Sequence, residues 1–113
     1  MKINFDEIKE TVISQFRGGK KNTAAKIFAD ENNKIMYGSL EQGASIGMHT
    51  HDTSSEIIYI LSGNAEILFD NDKENLSAGE CHYCPKGHSH SLINAGSDNL
   101  VFFAVVPEHS SSK

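Results

Sequence analysis

The stretch GASIGMHTHDTSSEIIYILSG, residues 43–63, decides how this chain reads. It sets His49 and His51 one residue apart, follows them with Glu56 at the head of an apolar run, and closes on Gly63. Side chains alternate along an extended strand, so His49 and His51 project from one face, about 6.6 Å apart along the strand. Imidazoles at that separation tilt towards one metal ion as neighbouring ligands. Asp52 to Ser55 form a short connection, after which Glu56 opens the next strand and can return a carboxylate to the same place.

A third imidazole has to come from far along the chain. The other histidine-rich stretch is GECHYCPKGHSHSLIN, residues 79–94. Pro85 and Gly87 build a tight turn there, and a strand starting near Ser89 carries His90 on one face with Leu92 and Asn94.

Together the two stretches resemble the paired motifs of the cupin superfamily. The first runs Gly43, five residues, His49, one residue, His51, four residues, Glu56, six residues, Gly63. The second runs Gly79, five residues, Pro85, one residue, Gly87, two residues, His90, three residues, Asn94. Fixed positions at fixed spacing over residues 43–94 are far more specific than a lone His-x-His. The residue after Gly79, often Asp in the family, is Glu80 here, which keeps the charge.

The resemblance implies an all-β double-stranded β-helix, a small jelly-roll (cupin) barrel. It also implies one divalent transition metal ion per chain, held near the barrel mouth by His49, His51, Glu56 and His90. Three imidazoles and a carboxylate suit Fe, Mn, Ni, Co, Cu or Zn without choosing among them. Four protein donors on an octahedral ion leave two positions for a small-molecule ligand, water or O₂. The function expected is that of a metalloenzyme acting on a small oxygen-rich metabolite, of dioxygenase, isomerase or epimerase, decarboxylase or lyase type. The alternative is a non-catalytic, metal-dependent module for small-molecule binding or sensing. The balance leans towards an enzyme, since no output domain is apparent beside the cupin-like segment.

Three further side chains are catalytic candidates. His82 is a general base or substrate contact if it points inward, and an exposed or interface residue if it does not. His88 stands at the mouth as a support for the ligands or as a substitute for His90. Tyr37, with Tyr59 and Met48, lines either a pocket or the core. In CHYC a spacing of three sends Cys81 and Cys84 to opposite strand faces, which argues against a redox or zinc pair and for two buried small residues. His109 has no role in this reading.

Beyond the motifs, Phe5, Ile8, Val12, Ile13 and Phe16 recur at helical spacing, and Asn4 with Glu7 has capping-box spacing, so residues 4–16 are expected to form a short amphipathic helix. The expected organisation is helix and linker over 1–22, barrel over 23–108 and polar tail over 109–113, with strands near 24–30, 34–41, 45–51, 56–62, 64–69, 80–84, 89–94 and 99–106, and a turn at DNDK. Fifteen acidic against ten basic residues, with no basic block, exclude nucleic acid as a partner. No run approaches the roughly 18 apolar residues of a membrane span. With no basic-then-apolar leader and only two cysteines, the expectation is a cytoplasmic protein. EIIYIL and LVFFAVV are apolar on both faces, and a chain of 113 residues has little material to cover such strands twice, which predicts a homodimer.

Overall fold

A computed structural model describes residues 1–109. Its strands are β1 (Thr11–Ser14), β2 (Asn22–Ala29), β3 (Asn33–Leu40), β4 (Ser45–Thr50), β5 (Glu56–Ser62), β6 (Asn64–Phe69), β7 (Asp72–Ser77), β8 (Cys81–Cys84), β9 (Ser89–Asn94) and β10 (Leu100–Pro107). They form two antiparallel sheets, of order β1-β2-β3-β10-β5-β8 and β4-β9-β6-β7. Among the described residues no helix is long and apolar enough to cross a membrane.

Strand alternation builds the core. Met36 and Leu40 of β3, Ile58 and Ile60 of β5, and Phe102 and Ala104 of β10 turn inward from the larger sheet. They meet Ile46 of β4, Ala65 and Ile67 of β6, and Leu92 of β9 from the smaller one. Ile57, Tyr59 and Leu61 occupy the alternate positions of β5 and are exposed on the outer face with Tyr37 and Tyr83. Glu56 shares the inward face of β5 with Ile58 and Ile60, which buries its carboxylate.

The expected N-terminal helix does not form. Asn4 accepts a hydrogen bond from the Asp6 amide, and the single turn Phe5–Glu7 is 3-10. The β-branched run Thr11, Val12, Ile13 then pairs with β2 in the register Thr11↔Ala25 to Ser14↔Asn22. A 13-residue helix is marginal without packing, and pairing with an existing sheet edge gives these backbone groups partners that the helix would need packing to secure. Val12, expected on a buried helical face, is 60% exposed.

A second departure is β7. DKENLS has one large apolar residue, Leu76, so its pattern does not announce a strand. It forms by hairpin pairing with β6, from Phe69↔Asp72 to Asn64↔Ser77, across the turn Asp70-Asn71, where Asp70 has φ 52°.

The second 3-10 turn, Phe16–Gly18, crosses β4 at backbone contact. A Cβ on Gly19 would lie 2.0 Å from the Ser45 carbonyl oxygen, and one on Gly47 would lie 2.1 Å from that of Arg17. Only glycine at both positions permits this approach. It brings Arg17 beside the strand that carries His49.

Candidate metal centre

β4 and β9 are antiparallel neighbours in which His49 lies directly opposite His90. His51 follows the end of β4, where its amide donates to the His88 carbonyl and its carbonyl accepts from the Gly87 amide. That pairing ties the chain after His51 to the Pro85–Gly87 turn. Glu56 arrives from the other sheet, its strand start steadied by Ser55 N–H donating to the Pro107 carbonyl.

The four side chains converge. His51 Nε2 and His90 Nε2 lie 3.0 and 2.8 Å from Glu56 Oε1, and His49 Nε2 lies 3.8 Å away. The three ring centroids are 4.8–4.9 Å apart. Each ring is held from behind at Nδ1: His49 by the Gly47 carbonyl at 2.8 Å, His51 by Ser54 Oγ at 2.9 Å, and His90 by His82 Nε2 at 3.1 Å. A carbonyl only accepts, so His49 carries its proton on Nδ1 and, as a neutral ring, turns the lone pair of Nε2 to the centre. Nitrogen lone pairs facing a carboxylate oxygen repel unless protons or a cation stand between them. This donor set therefore fits a divalent transition metal ion.

The cluster lines a cavity of about 270 Å³. Met36, Ile46, Ile58 and Leu92 supply apolar wall. Exposed residues, Arg17 and Asp30 to Asn33 among them, line the same cavity.

The three other candidates stand outside that lining. Tyr37 points to the outer face, its ring 5.7 Å from Phe5, because it alternates with inward Met36 and Gly38. His88 is turned away by a 2.6 Å hydrogen bond to Asp70 and by stacking on Phe69 at 5.5 Å. His82 is buried behind His90, its ring stacked on that of His90 at 5.2 Å. Cys84 is buried, and burial first, with Glu56 and Asp70 nearby, pushes its thiol up to about 11. Cys81 is exposed, against the expectation that both cysteines are buried, because β8 turns its alternate residues outward. Met48 and Tyr59 also face outward. His109, expected to have no role, is hydrogen-bonded to Ser55 Oγ at 2.9 Å; residues 110–113 of the expected tail lie outside the described residues. Sequence reasoning missed Arg17 and Glu74, the first just after the misread segment 4–16 and the second within the unannounced strand β7.

A family model for the cupin domain matches residues 36–106. An oxalate-binding protein of Thermotoga maritima is 35% identical over 113 residues, covering 94% of this chain and 93% of that protein. Among solved structures, one described as a predicted oxalate decarboxylase from Thermotoga maritima superposes with a TM-score of 0.89 at 29% identity, over 96% of this chain and 99% of that one. KdgF from a Halomonas species shares the fold, with a TM-score of 0.74 at 21% identity over 96% and 93% of the two chains.

Electrostatics tie the cluster to pH. Burial acts to raise the Glu56 carboxyl, but the imidazoles of His49, His51 and His90 gathered around it outweigh burial and hold the group well below the ordinary 4.5. Burial lowers His90 below 6.5; Glu56 acts against that shift, and the neighbouring histidines add to it. Both groups bind protons less readily folded than unfolded, so each contributes stability above its unfolded value that is lost as pH falls through its folded value. Chelator-treated protein should thus lose stability as pH drops below 6.5 through the His90 range, and again well below 4.5 as Glu56 protonates. Urea unfolding at pH 7.5 and pH 5 should show the lower midpoint at pH 5; equal midpoints would contradict the assignment.

Proposed function

This chain belongs to the cupin family, and on that premise we propose that it holds one divalent transition metal ion through His49, His51, Glu56 and His90 and uses it to bind a small dicarboxylate of the oxalate type. The observation that carries this is the convergence of three imidazole nitrogens and one carboxylate oxygen in the wall of a cavity. When bound, the ion supplies Lewis acidity and coordination positions beyond its four protein donors.

The chain's own residues select the ligand. Met36, Ile46, Ile58 and Leu92 keep the inner cavity apolar and limit it to a small molecule. Arg17 and Lys34 line it as cations, and neither forms an ion pair among the described residues. Asp30, Glu31 and Glu108 line it too, and the Asp30 carboxylate accepts from the Asn32 and Asn33 amides of its own turn. A guanidinium is suited to the outward carboxylate of a dianion, with two parallel hydrogen bonds. The names of the Thermotoga maritima relatives, one for oxalate binding and one for predicted oxalate decarboxylation, support this ligand class.

Tyr37, His82 and His88 all stand outside the cavity lining, so the first reading is binding at the metal with none of these three in contact with the ligand. The decarboxylase-like relative supports turnover as a second reading. Equal release of formate and carbon dioxide from oxalate would establish it.

Calorimetry of Co(II)-loaded protein with oxalate should give one site per chain, and chelator-treated protein should give none. Arg17→Ala should keep the metal and weaken oxalate roughly 10- to 100-fold, the worth of a charge-assisted hydrogen bond of about 1.5–3 kcal/mol. Equal oxalate affinity with and without metal would refute the proposal.

The proposed assembly is a homodimer joined through the outer face of the larger sheet. Ile57, Tyr59, Leu61 and Tyr83 form an exposed apolar surface there. Sedimentation at micromolar concentration should show a dimer, and Tyr59→Glu a monomer; a wild-type monomer would remove this assembly.

A further inference from the structure

The three imidazoles of the cluster are held from behind by unlike groups. His49 has a backbone carbonyl and His51 a serine hydroxyl, whereas His90 has a second imidazole. That imidazole continues outward: His82 Nε2 is 3.1 Å from His90 Nδ1, and His82 Nδ1 is 2.8 Å from Glu74 Oε1. The side chains of His82 and His90 are 0% and 1% exposed, while that of Glu74 is 41% exposed. A chain of hydrogen bonds thus runs from a partly exposed carboxylate on β7, through a buried ring on β8, to His90 on β9. Phe69 packs edge-on against His82, with centroids 5.3 Å apart, and steadies the middle ring.

The chemistry of the end group orients the protons. A carboxylate only accepts, so His82 carries its proton on Nδ1 and donates it to Glu74. The remaining nitrogen of a neutral His82 is then an acceptor, and His90 must donate to it from Nδ1. His90 is left with the lone pair of Nε2, the nitrogen that lies 2.8 Å from Glu56 Oε1 and 3.0 Å from His51 Nε2. With His82 as the opposite neutral tautomer, two acceptors would face each other across 2.8 Å.

We propose that Glu74 and His82 are positioning residues of the metal centre, which hold His90 in the tautomer that presents Nε2 inward and make it a stronger donor. This rests on the reading of His49, His51, Glu56 and His90 as a metal centre. Backing of a metal-bound imidazole by a carboxylate typically governs 10- to 100-fold in metal affinity, and here the backing acts through an interposed imidazole. His82, Cys84 and His90 also lie close enough to hold an ion themselves. Their hydrogen bond occupies two of those three donor atoms, and the buried thiol resists giving up its proton.

The test is a Co(II) competition titration of the full chain. His82→Leu should bind Co(II) roughly 10- to 100-fold more weakly than wild type, and His82→Gln, which can both accept and donate, should recover most of the loss. Glu74→Leu, at a partly exposed position that leaves the core unchanged, should weaken binding in the same direction. In Zn(II)-loaded protein, ¹⁵N histidine NMR should find the His90 proton on Nδ1, a result that a merely structural role would not require. A folded His82→Leu or Glu74→Leu variant with wild-type Co(II) affinity, or His90 without a proton on Nδ1, would overturn the inference alone. A sulfur-to-Co(II) charge-transfer band abolished by Cys84→Ser would also overturn it, by moving the ion behind His90. Wild-type protein that takes up no Co(II) would overturn the metal-centre reading and this inference with it.

Discussion

Three imidazole nitrogens directed at one buried carboxylate oxygen form an arrangement that no local segment can hold alone. His49 and His90 come from neighbouring strands of one sheet, while Glu56 comes from the other sheet. The two sheets must therefore pack in one register to bring the donors together. The same inward alternation that buries Ile58 and Ile60 buries Glu56, so core packing and site assembly are one event on β5. A slip of one residue in β5 would expose the carboxylate and bury Ile57 and Tyr59 in its place.

Much of this was legible because alternation on strands is a strong local rule. It set His49 and His51 on one face, carried Glu56 inward, and separated Cys81 from Cys84. Resemblance to the cupin motifs linked residues 43–63 to 79–94, a connection that periodicity alone could not make, and the pairing of His49 with His90 is its structural form. Where tertiary context overruled local pattern, the sequence misled. Residues 11–14 have helical spacing but pair with β2, and residues 72–77 have almost no apolar pattern but form a strand by hairpin closure. Those two errors concealed Arg17 and Glu74, which lie in or beside the misread segments. His82 was visible as a histidine, but its direction depends on the packing of β8 over β9, which no spacing encodes.

The donor cluster also differs in its support from ring to ring. His49 is braced by the backbone of its own strand, at the glycine that the Arg17 turn crosses, so the cationic residue lining the cavity and the brace of one ligand share a single close contact. His51 is braced by the connection that leads to Glu56. His90 is braced through the core by His82 and Glu74. Rigid support of this kind limits how far each ring can turn, and restricted rings lose less freedom when they bind an ion. A cavity of this size is then suited to a small ligand rather than a large metabolite.

Anomalous diffraction from crystals loaded with Co(II) tests the central claim most directly. One strong peak per chain is predicted, within bonding distance of His49, His51 and His90 at Nε2 and of the Glu56 carboxylate. The absence of a peak there, or a peak bonded instead to Cys84 Sγ and His90 Nδ1, would contradict the account.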